Sequence, residues 1–343
     1  MRRSGRDAPL VCVVVLNWNS LDGTLACLRA LAATRYPNMR TIVVDNGSSD
    51  DAVAPLADLP GIDLVRNAAN LGFTGGANVG IERAVALGAA YVWLLNSDAA
   101  TAPDVLGKLV DAAEADPAIG LVSPVFHDPE SPDVPEFCLG LFDPVARYAT
   151  QTNSPAQATA WQRDHPSQVI LLGTALLIRR ELIDQIGGLD PGFFAYVEDV
   201  DYSLRAIAAG YRNVAVPDAV VLHKFKQPVA HPDSVPAYLH YYMSRNYLLL
   251  WKKLARPRLL RKAMLWFLRQ RLLQIERMTV GSPATEAVLA GLWDGMCGVA
   301  GPYDPTRRAP PLMRWALGRH AGVWLNLLDG RLPFAAREGP NPR

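Results

Sequence analysis

The stretch YVWLLNSDAA, Tyr91 to Ala100, is an apolar run that stops in Asn96-Ser97-Asp98 before small residues and Pro103 take over. Its length and its aromatic and aliphatic content read as a strand buried on both faces. A buried strand that ends in a carboxylate needs a reason. Asp98 could cap the next helix, because Asp accepts hydrogen bonds from free helix N–H groups. It could equally face a ligand, because open α/β sheets bind ligands at the carboxyl ends of their strands. The segment alone leaves both open.

Outward from Tyr91, the first hundred residues alternate regularly. The β-branched run LVCVVVL (10–16) precedes a helical stretch from Leu21 to Ala33, the strand RTIVVD (40–45) and the turn NGSSD (46–50). A short strand at Ile62 to Val65, a glycine-rich turn and a helix from about Gly76 to Leu87 lead back to Tyr91. Such alternation predicts βαβ units and a mostly parallel sheet covered on both faces. A helix from Pro103 to Ala115 and a strand from Ile119 to Val125 follow. Phe126 to Gln168 is rich in Pro, Asp, Ser and Gln with little periodicity, and reads as a long irregular excursion near the substrate side. Order resumes at VILLGTALLIRR (169–180). Helical patterns dominate from about Val235, most clearly in 233–253 and 261–278, and no internal repeat is evident.

At 343 residues, half of them hydrophobic, the chain can bury a sizeable core, and a formal charge of +1 argues against a chain-wide field for nucleic acid. Charge is concentrated locally: Arg245 to Arg277 holds ten Lys or Arg against one acid, Glu276, with Trp251, Trp266 and Phe267 interleaved. That composition suits helices packed with a solvated basic face, or an interfacial surface that meets anionic lipid. No nucleic-acid recognition motif accompanies it. Cys12, Cys27, Cys138 and Cys297 are scattered, without metal-ligand spacing, and read as reduced core thiols. Residues 1–9 read as a flexible leader and 338–343 as a disordered tail. No window is long and apolar enough for a transmembrane helix, so the expectation is a cytoplasmic protein, peripheral at most on the cytoplasmic membrane face.

Three polar tips end strand-like runs: Asn17-Trp18-Asn19, Asp45-Asn46 and Asn96-Ser97-Asp98. In a parallel sheet they share one edge, so polar groups converge on a crevice, which helix capping alone does not explain. Asp45 by itself also suits a turn former. NLGFTGGANVG (70–80) puts glycines where a turn enters a helix, which permits close backbone approach to a ligand. A dinucleotide fingerprint would instead follow the first strand, where LNWNS stands, and an NAD enzyme is thereby disfavoured. In FFAYVEDVDYSLRAIAAGY (193–211), Glu198, Asp199 and Asp201 open a helix. Acids are favoured there by the macrodipole, yet their place behind an aromatic run and GG and PG turns also suits a general base aimed into a pocket. His223 ends another apolar run and reads either as an ordinary strand-end histidine or as a ligand.

With these residues in hand, the chain resembles family 2 glycosyltransferases of the GT-A fold, of the rhamnosyltransferase and galactofuranosyltransferase kind. The matching pieces are VVVLNWNS (13–20), IVVDNGSSD (42–50), NLGFTGGANVG (70–80), VWLLNSD (92–98), the run from Gly173 to Tyr211 and YYMSRNYLLL (241–250), in the family's order. The resemblance implies an α/β fold, a mostly parallel mixed sheet flanked by helices, with a GT-A catalytic domain over 10–235 and a helical extension over 236–337. The nucleotide-binding half would span about 10–125 and the acceptor half about 126–235. It implies that Asp45 accepts a hydrogen bond from the N3–H of uracil or thymine, with Asn17, Asn19, Asn70, Gly72, Asn78 and Asn96 lining the nucleotide pocket. Asp98 is similar to the last acid of the family's DXD motif, which holds Mg²⁺ or Mn²⁺ on the donor diphosphate, and His223 matches the late histidine that can complete the metal site. Asp199 matches the acid of the ED motif, the base that deprotonates an acceptor hydroxyl in one inverting displacement. Gly173, Thr174 and Glu198 would line the sugar pocket, and Lys224 and Arg245 would reach the diphosphate.

Two departures from the family pattern stand out. The first DXD position is Asn96, a neutral and weaker ligand, and small residues after the late histidine are replaced by Lys224, Phe225 and Lys226. The implied function is transfer of a sugar, L-rhamnose the favoured guess, from a dTDP- or UDP-sugar to a glycan, lipid-linked saccharide or natural-product hydroxyl. Asn96 keeps a second expectation open: a catalytically silent nucleotide-sugar-binding scaffold module in a glycan assembly complex.

Overall fold

The computed structural model describes residues 8–49, 53–143, 148–225, 231–254 and 257–328. Most of the leader, Lys226 and the tail lie outside them. The chain divides into two compact units, Met1–Lys226 and Gln227–Arg343.

In the first unit, β1 (Val11–Asn17), α1 (Leu21–Ala32), β2 (Met39–Asp45), α2 (Val53–Ala57), β3 (Ile62–Arg66), α3 (Gly72–Ala86) and β4 (Tyr91–Asn96) form the alternating βα half. There follow β5 (Ala99–Thr101), α4 (Val105–Ala115), β6 (Ile119–Asp128), β7 (Ser131–Phe137), β8 (Leu139–Asp143), β9 (Tyr148–Thr152) and α5 (Pro155–Asp164). The unit closes with β10 (Val169–Ile170), β11 (Ala175–Arg179), α6 (Arg180–Ile186), α7 (Glu198–Ala208) and β12 (Arg212–His223). The main sheet runs β3-β2-β1-β4-β11-β6-β12-β5, with β7 paired to β6. β3, β2, β1 and β4 are parallel, and β11 is antiparallel to both its neighbours. The period of two decides the layering. Val11, Val13 and Val15 point into one core with α1 and α4, while Cys12 and Val14 point into the other, beneath α3.

Three expectations change. The excursion from Phe126 to Gln168 is largely ordered: β7 lies against β6, β8 joins β9 and β10 in a three-stranded antiparallel sheet, and Ser154 caps α5 through Gln157 N–H. Its strands are short, and β7 carries Pro132 and Pro135, which an edge strand tolerates, so no clean period shows in the sequence. The glycine-rich turn also becomes helix earlier than expected, at Gly72. The helical glycines serve packing: a Cβ on Gly80 would lie 2.2 Å from Val14 Cγ1, and one on Gly76 2.5 Å from Leu16 Cδ1, so α3 lies directly on β1. Three cysteines are buried as expected, but Cys297 is exposed.

The second unit is helical: α8 (Ala237–Lys253), α9 (Pro257–Glu276), α10 (Pro283–Cys297), α11 (Pro311–Met313) and α12 (Ala321–Leu328). Not every cation of the basic run is solvated. Arg245 is fully buried, donates to Asn246 and the Gly301 carbonyl, and lies over the rings of Tyr241 and Tyr242. That corrects its expected role on a diphosphate, since its guanidinium is occupied inside the helical unit. The apolar exposure lies further on. α12 turns Ala321 and Leu325 inward yet exposes Val323, Trp324, Leu327 and Leu328, and Leu312 and Trp315 are 75% and 58% exposed. Residues 305–328 contain four Arg and no acid. Among the described residues no helix is long and apolar enough to cross a membrane.

Candidate active site

The ends of β1, β2 and β4 lie side by side, because Asn17 pairs with Asp45 across the β1–β2 ladder and Leu16 with Asn96 across the β1–β4 ladder. β11 enters this edge from the opposite direction: the N–H of Asn96 donates to the Thr174 carbonyl at 2.8 Å, and the N–H of neighbouring Gly173 donates to Asp199 Oδ2 at 3.1 Å. On the far side of the unit's sheet, β12 pairs His223 with Ala99, next to Asp98. Polar residues far apart in the chain therefore form one continuous edge.

At its β2 end the site is saturated with hydrogen bonds. Asp45 is buried, and its Oδ1 accepts from Asn17 Nδ2 at 3.0 Å. Asn17 also donates to Ser48 Oγ at 3.1 Å and accepts from Thr24 Oγ1 at 2.7 Å. Its whole amide is used within the protein, so Asn17 positions Asp45 instead of lining the pocket as expected. Asn19, at φ 49°, accepts from Ser49 N–H through its side chain, and its own N–H donates to Ser48 Oγ. Asn46 is the hub: its Nδ2 donates to Asn70 Oδ1 and the Gly72 carbonyl, and its Oδ1 accepts from Asn67 Nδ2 and Leu71 N–H. Ser48 and Thr24 were not singled out from sequence, and Asn46 only as half of a polar tip. NGSSD was the available signal, but its turn chemistry hid the partners.

Asn78 also departs from its expected place. Both ends of its amide hold Leu189, as donor to the carbonyl and acceptor of the N–H, each at 2.8 Å. It clamps the loop ahead of α7 onto α3. That loop is strained. Phe194 has φ 64° and ψ −57° with Ala195 N–H bonded to the Phe193 carbonyl, a γ-turn of the rare positive-φ kind, and Tyr196 and Val197 also have positive φ. Such residues cost on the order of 1–3 kcal/mol each and persist only where surroundings hold them. The holding contacts are Thr74, whose N–H and Oγ1 both donate to the Phe194 carbonyl, and Gly72, where a Cβ would lie 2.4 Å from that oxygen.

The strained loop delivers Glu198 and Asp199 at the first turn of α7. Asp199 accepts from Gly173 N–H and, at 2.8 Å, from Val200 N–H. Burial pushes its carboxyl above the ordinary range, and these two donors restrain the rise. Glu198 is pushed well above that range, first by burial and then by the charge of Asp199, and its Oε2 has no hydrogen-bond partner among the described residues. Burial thus disfavours the ionised form of both carboxyls, and that of Glu198 the more strongly. The third acid, Asp201, is structural: it pairs with Arg205 at 2.9 Å, and Arg205 in turn donates to the Ile186 and Gly188 carbonyls. A Cβ on Gly173 would meet Asp199 Cβ at 3.5 Å, Phe73 Cε1 at 3.6 Å and Glu198 Oε1 at 3.8 Å, which marks Phe73 as a neighbour of this carboxylate corner.

Asp98 is 64% exposed at its side chain, and its Oδ1 lies 3.4 Å from Nε2 of the buried His223. The ring of His223 packs against Phe126 and Phe225, and its Nδ1 has no hydrogen-bond partner among the described residues. Lys224 pairs with Glu130. Among the described residues no group of three or more His, Cys, Asp or Glu could hold a metal ion. The Asp98 carboxylate and His223 Nε2 beside it, with Asn96 two residues before Asp98, suit a cation that brings most of its ligands with it as phosphate oxygens and water.

The family described as "Glycosyltransferase like family 2" matches residues 8–240. The N-acetylglucosaminyl-diphospho-decaprenol L-rhamnosyltransferase of Mycobacterium tuberculosis is 32% identical over 233 residues, 63% of this chain and 75% of that protein. Among solved structures, the mannosyltransferase PcManGT of Pyrobaculum calidifontis, in complex with GDP-Man and Mn²⁺, superposes with a TM-score of 0.53 at 20% identity over 95% of this chain and 86% of that one. TarS 1-349 of S. aureus, in complex with UDP-GlcNAc, superposes with a TM-score of 0.57 at 15% identity over 94% and 92%.

Proposed function

The chain belongs to glycosyltransferase family 2, with the GT-A fold, and is therefore a transferase; from that premise we propose that it moves a sugar, L-rhamnose the favoured one, from a dTDP- or UDP-sugar to an acceptor hydroxyl with inversion. The observation that carries this is the continuous edge from Asp45 through Asn96, Thr174 and Gly173 to Asp199.

Asp45, fixed by Asn17, accepts the N3–H of the pyrimidine, and the Asn70–Gly72 turn held by Asn46 borders the nucleoside. Asp199 takes the proton of the acceptor hydroxyl as its oxygen attacks the anomeric carbon opposite the departing diphosphate. Glu198, protonated, offers a donor to a sugar oxygen beside Gly173 and Thr174 and keeps a second negative charge out of the pocket. Asp98 and His223, with Asn96, would hold Mg²⁺ or Mn²⁺, which when bound supplies positive charge to the leaving diphosphate. Lys224 stands beyond His223 as a candidate contact for the same phosphates.

The acceptor proposed is a lipid-linked saccharide, as the name of the mycobacterial relative suggests for that protein. Leu312, Trp315, Trp324 and Leu327, with the surrounding arginines, would meet an anionic bilayer. This surface lies after the basic run of α8 and α9, of which Arg245 is buried. The test is release of nucleotide diphosphate when the protein is mixed with dTDP-rhamnose or UDP-sugars, Mn²⁺ or Mg²⁺ and polyprenyl-linked acceptors. One observation favours a second reading: Asn96 in place of an acid suits a silent nucleotide-sugar-binding scaffold. Donor binding without turnover across that panel would select it.

A further inference from the structure

Thr74 is fully buried in the first turn of α3, a helix that starts behind the apolar Leu71 and so has no capping side chain of its own. The first N–H groups of a helix need acceptors from elsewhere. For Thr74 the acceptor is the Phe194 carbonyl, which takes its N–H at 3.1 Å and its Oγ1 at 3.3 Å. One carbonyl thus accepts both donors of a single residue. The two residues before Thr74 face the same neighbours: Gly72 lies against Phe194, and the Phe73 ring borders Gly173, whose N–H donates to Asp199.

α7 is not fixed at its own beginning. It starts behind Val197 at φ 70°, and no side chain caps it there among the described residues. The bond from Val200 N–H to Asp199 Oδ1 moves with the helix, whereas the bond from Gly173 N–H to Asp199 Oδ2 depends on where the first turn lies. From its second turn α7 has separate anchors. Tyr202 donates to the Gly187 carbonyl, Ser203 Oγ accepts from Leu171 N–H, and Arg205 donates to the Ile186 and Gly188 carbonyls. The body of the helix is therefore held independently, while the turn that carries Asp199 takes its place from the strained chain between Phe194 and Val197.

We propose that Thr74 is a positioning residue for sugar transfer: by holding the Phe194 carbonyl it sets the Asp199 carboxylate against Gly173 N–H. This rests on the reading of Asp199 as the base. Phe194, Tyr196 and Val197 all have positive φ, a conformation that persists only while its surroundings hold it. Without the Thr74 hydroxyl the loop relaxes, the first turn of α7 shifts, and the acceptor meets a displaced carboxylate. The nucleotide end keeps its geometry, because Asn46 holds the Asn70–Gly72 turn through bonds of its own.

The experiment compares the full chain as wild type, Thr74→Val and Thr74→Ser. Valine keeps the shape and the backbone N–H but lacks the hydroxyl, and serine keeps the hydroxyl. Amide hydrogen exchange without ligand, followed residue by residue, reads the geometry alone. In Thr74→Val the Gly173 amide should exchange roughly fivefold faster, the worth of one neutral hydrogen bond, and in Thr74→Ser it should match wild type. Turnover of a dTDP- or UDP-sugar with Mn²⁺ and a polyprenyl-linked acceptor reads the consequence. There kcat should fall about fivefold to tenfold in Thr74→Val and recover in Thr74→Ser, with the Kd for UDP within about twofold throughout. Wild-type exchange at Gly173 or wild-type kcat in Thr74→Val overturns the proposal, and so does a kcat that serine does not restore. Exchange that quickens equally over β1, β2 and Gly173 marks a general loss of stability and also overturns it. Should Gly173 respond as stated while wild type transfers no sugar, the link from Thr74 to Asp199 is upheld and the reading of Asp199 as a base is what fails.

Discussion

The two ends of the candidate site are built on opposite principles. Around Asp45 every side-chain polar atom of Asn17 and Asn46 has a protein partner, so this geometry is set before any ligand arrives. Around Asp199, and at the Asp98–His223 corner, the protein leaves capacity unused: Glu198 Oε2 and His223 Nδ1 have no hydrogen-bond partner among the described residues, the carboxyls of Glu198 and Asp199 are pushed up, and the loop before α7 is strained. The first end is a rigid reader of shape, in which preorganisation provides selectivity. The second keeps donors, acceptors and strain in reserve for groups that change charge during reaction.

The sharpest way to break this contrast is Asp199→Asn. Transfer should fall by about 10³-fold or more, while nucleotide affinity measured by calorimetry stays within a factor of two to three. Turnover near that of wild type would remove Asp199 as the base. Next in size is Gly72→Ala. It places a methyl 2.4 Å from the Phe194 carbonyl at a φ of +75°, so the clamp on the strained loop should open. A loss of about 2–4 kcal/mol in denaturant unfolding is expected, with activity lost alongside.

Asp45→Ala touches the reading end alone. Uridine and thymidine nucleotides should weaken by about tenfold to a hundredfold, the worth of a buried hydrogen bond to a charged group, and adenine nucleotides should not. Equal losses for all bases would show that Asp45 supports the fold and does not read the pyrimidine.

The pH dependence separates the two ends more finely. Asp199 must be ionised to take a proton, and burial raises its pKa, so kcat/KM should fall with acid through a limb displaced above the usual carboxylate range. Glu198 acts on stability. Its folded pKa lies above the unfolded value, so its contribution is complete below the unfolded pKa and is lost as pH rises through the folded one. Glu198→Gln cannot ionise and should hold its melting temperature over that rise while wild type declines. Parallel curves would contradict a protonated Glu198. The smallest effect is expected at the periphery: Trp315→Ser with Trp324→Ser should reduce flotation with vesicles containing phosphatidylglycerol by severalfold, without altering transfer to a water-soluble acceptor. Unchanged flotation would retire that face as the lipid contact.

Much of the fold was legible because its signals are local. Buried strands such as LVCVVVL and YVWLLN announce themselves by composition, and the acids at the start of α7 by their position. The segment after Phe126 was not legible, since short edge strands with proline and polar residues carry no clean period. Within the site, the polar tips and their shared edge could be read, but the division of labour among them could not. Asn17, Asn78 and Arg245 looked like ligand contacts, and each is a structural anchor whose partners come from distant segments.

The sequence by itself determined which runs become strands and helices, and that carboxylates and amides gather where those strands end, because periodicity and residue chemistry act over a few neighbours. Only the tertiary structure decided which amides are already satisfied, which carboxyl is pushed up, and which arginine is buried among tyrosine rings in the helical unit. Those properties depend on desolvation and on hydrogen-bond partners supplied across the sheet and between helices, and no local stretch of chain encodes them.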